Sequence, residues 1–103
     1  MSNPIPREEI RALMERIEAG AASSDDYQRY EDLLVSAGLP RDYVRSFIEE
    51  AGYDSWDAFR QARSGPEGDR GVSATLIGRV SGLGLGVLFQ DSVRQTVRRE
   101  LAG

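Results

Sequence analysis

The stretch Gly71 to Phe89, G-V-S-A-T-L-I-G-R-V-S-G-L-G-L-G-V-L-F, most narrows what this chain can fold into. It holds five glycines, ten apolar residues and a single charge, Arg79. Ala74, Gly78, Gly82 and Gly86 recur every four residues, which on a helix places small side chains along one face and lets a second backbone come close. Leu76, Val80, Leu83 and Val87 follow at 4-3-4 spacing on an adjacent face. Interior glycine disfavours helix by about 1 kcal/mol relative to alanine. Gly78, Gly82, Gly84 and Gly86 together therefore cost roughly 4 kcal/mol. A helix here requires a close neighbour in return. The alternatives are a β-hairpin, with Ala74–Val80 and Leu85–Gln90 as strands around Ser81–Gly84, or contact with a membrane. Val72 to Phe89 just reaches the length of a short transmembrane helix, but Arg79 is costly near its centre. The spacing resembles that of glycine-zipper membrane segments over these 18 residues.

Residues 1–63 have a different texture. Pro6 suits a helix start, and Glu8 and Glu9 suit its first turn. Ile10, Leu13, Met14 and Ile17 form one apolar stripe before Gly20, so a helix is expected over 6–19. Ser23 or Ser24 caps a second helix, with Tyr27, Tyr30, Leu33 and Leu34 on its apolar face and Gly38 as a left-handed stop. Tyr43, Val44, Phe47 and Ile48 make a third stripe that ends at Gly52. Ser55 caps a fourth helix with Trp56, Phe59 and Ala62. Residues 64–71 carry three glycines and a proline and read as a flexible joint. Gln90 to Leu101 is helical in pattern, with Val93, Val97 and Leu101 beside Arg94, Arg98 and Arg99. The fold expected is mainly α: an acidic bundle of four short helices over 1–63, the joint, then the Gly-rich segment and C-terminal helix over 72–103.

Composition removes whole chemistries. The chain has no cysteine and no histidine, which excludes disulfides, thiolate or imidazole metal sites and the commonest general base. All thirteen basic residues are arginine, so lysine chemistry is absent too. Adjacent acids at Glu8-Glu9, Asp25-Asp26, Glu31-Asp32 and Glu49-Glu50 point about 100° apart on a helix and do not share a site as catalytic dyads do. Gly82-Leu83-Gly84-Leu85-Gly86 lacks the following Gly-Lys-Ser/Thr of a phosphate loop. No enzyme activity, cofactor or metal is expected.

Charge is split along the chain. Residues 1–69 carry fifteen acids against eight arginines; residues 70–103 carry two acids against five. Residues 25–51, with Gly38 at the turn, have the layout of a helix-turn-helix whose second helix holds Arg41 and Arg45. A groove reader needs a basic footprint, which this acidic half lacks. The reading that fits best is a cytoplasmic interaction or assembly module. It would pack through its C-terminal segment on a second copy or a larger protein. Ala74, Gly78, Gly82, Gly86, Leu83 and Val87 are candidate contacts there, and Tyr53 and Trp56 form a candidate aromatic anchor on the head. A membrane-associated protein and a nucleic-acid binder are the alternatives.

Overall fold

The computed structural model describes residues 5–64 and 74–102. Most of the joint expected at 64–71 therefore lies outside the described residues. Among those described there are five helices and no strand. They are α1 (Arg7–Ala19), α2 (Ser24–Ser36), α3 (Arg41–Glu49), α4 (Trp56–Ser64) and α5 (Ala74–Ala102). The hairpin alternative is thus replaced by one helix of 29 residues that takes in both the Gly-rich segment and the C-terminal pattern.

Local sequence sets the boundaries. Gly20 adopts φ 74° at the end of α1 and lets the Ala21 N–H reach back to the Arg16 carbonyl at 2.8 Å, closing the helix as a Schellman turn. Ser23 and Asp26 form a reciprocal capping box at the start of α2, with bonds of 3.1 and 3.0 Å. Ser55 accepts the Ala58 N–H at 3.1 Å and starts α4.

The apolar stripes meet in one core. Ile10, Leu13 and Ile17 of α1, Tyr27, Tyr30 and Leu34 of α2, Val44 and Ile48 of α3, and Trp56 and Phe59 of α4 are buried together. Ile77, Val80, Val87 and Leu88 of α5 belong to the same cluster. The Gly-rich segment is therefore part of the head's own core. Its 4-3-4 stripe turns inward, with Val80 and Val87 buried and Leu76 and Leu83 half-buried, so Leu83 and Val87, expected as partner contacts, pack within the chain instead. The helix packs chiefly on α1 and α3. No described helix is long and apolar enough to cross a membrane; the apolar half of this segment is spent on the core.

The third stripe departs from expectation at one position. Tyr43 is half exposed, edge-on to Phe47 at 5.3 Å between centroids, and stands at the rim of the core. Val93, Val97 and Leu101 are exposed as well, because α5 outruns the body it packs on. Every described residue from Ser92 to Leu101 is exposed, consistent with a long axis of 56 Å against 23 and 22 Å across.

Candidate functional site

The helix α5 presents two faces, and glycine has a different task on each. On the inner face the close approach is at Gly84. A Cβ there would lie 2.8 Å from Met14 Sδ and 3.0 Å from the Tyr30 hydroxyl. The Gly84 N–H donates to Tyr30 Oη at 2.8 Å, and that hydroxyl donates to the Val80 carbonyl at 2.7 Å, with the Ser81 carbonyl at 3.0 Å. Val80 C=O and Gly84 N–H are the acceptor and donor that an ordinary helical turn joins to each other. A tyrosine on α2 thus engages the backbone ladder of α5 directly, and only a residue without a side chain admits it. Burial pushes the Tyr30 hydroxyl well above its ordinary range, so it stays a neutral donor and acceptor. Arg7 fastens the same helix further along, donating to Asp91 at 2.6 Å and to the Leu88 carbonyl at 3.2 Å.

The outer face carries the spaced small residues. Ala74, Gly78, Gly82 and Gly86 are all exposed, and a Cβ on Gly78, Gly82 or Gly86 would meet nothing within 4 Å. The neighbour that their spacing anticipates is therefore not found among the described residues of the head. On this face stand Leu85, 61% exposed, and Phe89, 66% exposed, followed by Val93 and Val97. Leu83 and Val87 lie on the inner side and flank Gly84. Of the C-terminal contacts expected from sequence, the four small residues share one open face. The pair Leu83 and Val87 belongs to the opposite one. Of the four large apolar residues beside the glycines, Val93 and Val97 belong to the C-terminal pattern read from sequence; Leu85 and Phe89, which continue the same four-residue row, were not singled out.

Among the described residues, Arg79, Arg94, Arg98 and Arg99 of α5 form no ion pair, nor do Glu49 and Glu50 at the end of α3. A shallow groove lies between these regions, lined by Phe47, Glu50, Ala51, Thr75, Leu76 and Arg79.

The aromatic anchor resolves differently. Trp56 is buried, stacks on Tyr27 at 5.5 Å between centroids, and donates its indole N–H to Glu31 Oε1 at 2.9 Å. It is a core residue, 5% exposed, whose indole ties the start of α4 to α2. Tyr53 is half-buried, edge-on to Phe59. Glu31, fully buried, gathers Arg41, Arg45 at 2.7 Å, and Trp56, joining α2, α3 and α4. Burial alone raises a carboxyl's pKa; the hydrogen bonds from Arg45 and Trp56 outweigh it and hold Glu31 below its usual range. Arg41 and Arg45, the basic residues of the helix-turn-helix layout, are therefore committed to Glu31, and Arg41 also to Asp32 at 3.1 Å.

A cleft of about 340 Å³ between α2, α3 and α4 is lined by Asp25, Gln28, Arg45, Glu49 and Asp54. Ser24 and Asp57 line it too; the Ser24 hydroxyl donates to Asp57 Oδ1 at 2.6 Å and accepts from Arg60 Nε at 2.9 Å. Among the described residues no group of three acids is placed to hold a metal ion. The most distinctive surface is the outer face of α5. Comparison with protein-family models, curated proteins and solved structures gives no match.

Proposed function

We propose that this protein is a non-enzymatic interaction or assembly module whose contact surface is the outer face of α5. One observation carries the reading. Gly78, Gly82 and Gly86 sit inside a helix, each costing about 1 kcal/mol relative to alanine, yet among the described residues nothing uses the space they leave. Beside them Leu85 and Phe89 stand in water. Exposed glycine and exposed large apolar residues on one helical face are both accounted for by a second protein surface that covers them.

In-cell photocrosslinking tests this. A photoreactive amino acid at Phe89 or Val93 should yield protein adducts, and one at Arg11, on the exposed side of α1, should not. Equal yields at all three positions overturn the reading. So does tight binding of the purified chain to anionic phospholipid vesicles that Phe89→Asp abolishes, because the face would then be a membrane contact.

A further inference from the structure

Resting on that reading, we infer that the outer face of α5 is self-complementary and that its occupant is a second copy of this chain, lying antiparallel. The argument begins with two adjacent rows of side chains. Ala74, Gly78, Gly82 and Gly86 form a groove along one four-residue row; Leu85, Phe89, Val93 and Val97 form a ridge along the next. The groove occupies the N-terminal half of the exposed face and the ridge the C-terminal half. A parallel pair would set groove on groove and ridge on ridge. An antiparallel pair, with its two-fold axis passing between residues 85 and 86, sets Gly86 against Leu85, Gly82 against Phe89, Gly78 against Val93 and Ala74 against Val97. Every small residue then faces a large one, and ridges entering grooves is the geometry by which helices pack. Such an interface is isologous and closes on itself as a dimer.

Charge points the same way. Two crossing helices alone cover less than the roughly 800 Å² per partner of a standard interface, so a second contact is needed. The protruding end of α5 supplies it. Antiparallel docking carries Arg94 of one copy past the first turns of the other copy's α5. Beside those turns lies Glu50. Among the described residues neither Arg94 nor Glu50 forms an ion pair. The exposed Val93 and Val97 gain a surface on the other copy. The heads lie on the far sides of the paired helices and do not obstruct it.

Sedimentation of the full chain over a concentration series is the direct test, with Gly82→Leu and a cysteine pair as controls. Dimerisation in the micromolar range is expected, about tenfold weaker at high salt. Gly82→Leu should weaken it by about tenfold or more. The variant folds, because position 82 is open, and its melting temperature as a monomer should rise. The natural chain has no cysteine, so disulfide mapping is clean. G82C mixed with F89C should cross-link to each other, and G82C alone should not. Preferential G82C–G82C cross-links overturn the antiparallel register. A chain that stays monomeric at millimolar concentration overturns the dimer. If photocrosslinks at Phe89 then lead to a different protein, the interaction face stands and only its occupant is wrong; if they are absent too, both fall.

Discussion

The two faces of α5 carry the same residue type to opposite ends. Gly84, on the inner face, leaves out a side chain so that Tyr30 and Met14 can reach the helix backbone. Gly82, two positions earlier, leaves out a side chain and nothing arrives. The inner glycine serves the fold of one chain, and its cost in helix propensity is offset by buried contacts. The outer glycine has no such return among the described residues. Glycine in a helix is thus not a single signal: its meaning depends on what stands opposite, and substitutions on the two faces should move stability in opposite directions.

The largest effect is expected at Gly84. Gly84→Leu forces a branched side chain into Met14 and the Tyr30 hydroxyl, and overpacking of this kind costs about 1–3 kcal/mol despite the better helix propensity of leucine. Chemical denaturation should show a lower midpoint than the natural chain. A midpoint equal to that of Gly82→Leu would erase the distinction between the faces.

Next is Glu31, which holds the inner bundle together below α5. Glu31→Gln keeps an acceptor for Trp56 but loses the charge that Arg41 and Arg45 surround. The loss should be about 1–2 kcal/mol, limited because both arginines are half exposed and can turn to water. The same group sets a pH dependence. Its folded pKa is depressed, so its stabilisation is fully present above the unfolded carboxyl range, near 4.3, and is lost as pH falls through the lower folded value. Asp26, depressed chiefly by the Ser23 backbone N–H, adds to the same acid limb. Melting temperatures should therefore hold steady near neutrality and fall below about pH 4, less steeply in Glu31→Gln. An unchanged acid slope in that variant would remove Glu31 from this role.

Much of the inner architecture is legible in the sequence, because it rests on local rules. Three apolar stripes, the Ser23 cap and the glycine stops at 20, 38 and 52 each follow from side chains within one turn of one another. The Gly84 contact is not legible in this way, because its partner Tyr30 is 54 residues distant and no spacing links them. A hint was present, since Gly84 lies four residues after Val80 and three before Val87, inside the inward stripe. Glu31 hides for a related reason. As half of a Glu31-Asp32 pair it reads as surface. It also stands four residues after Tyr27 and three before Leu34, on the buried face, and Arg41, Arg45 and Trp56 that satisfy it come from other helices. The outer face was half legible. Small residues at four-residue spacing predicted a close neighbour, but only the fold shows that no described part of the head fills that place.

Tyr30→Phe sharpens the comparison further. Removing the hydroxyl frees Val80 C=O and Gly84 N–H, which are positioned to bond each other as in any helical turn. The backbone therefore recovers part of the loss, and the cost should stay near 1 kcal/mol, the net value of a typical hydrogen bond. Amide hydrogen exchange at Gly84 is the sensitive readout: faster exchange in Tyr30→Phe, with little change at Gly78 or Gly82, ties the effect to the inner face. Uniform acceleration along α5 would mean that Tyr30 supports the helix by bulk alone.

The smallest effect has the opposite sign. Gly82→Ala adds one methyl to open space, meets no atom within 4 Å, and gains helix propensity, so the isolated chain should become more stable by about 0.5–1 kcal/mol. The measurement belongs at a concentration low enough to keep the chain monomeric. Gly84→Ala is the natural partner experiment, since it adds the same methyl to the same helix but must displace Met14 and the Tyr30 hydroxyl. If the two alanine variants shift the denaturation midpoint in opposite directions, the outer glycines are placed against the interests of the single folded chain, and their benefit has to be sought in contact with another molecule. If both stabilise, Met14 yields freely, and the inner glycine is as dispensable to the fold as the outer one.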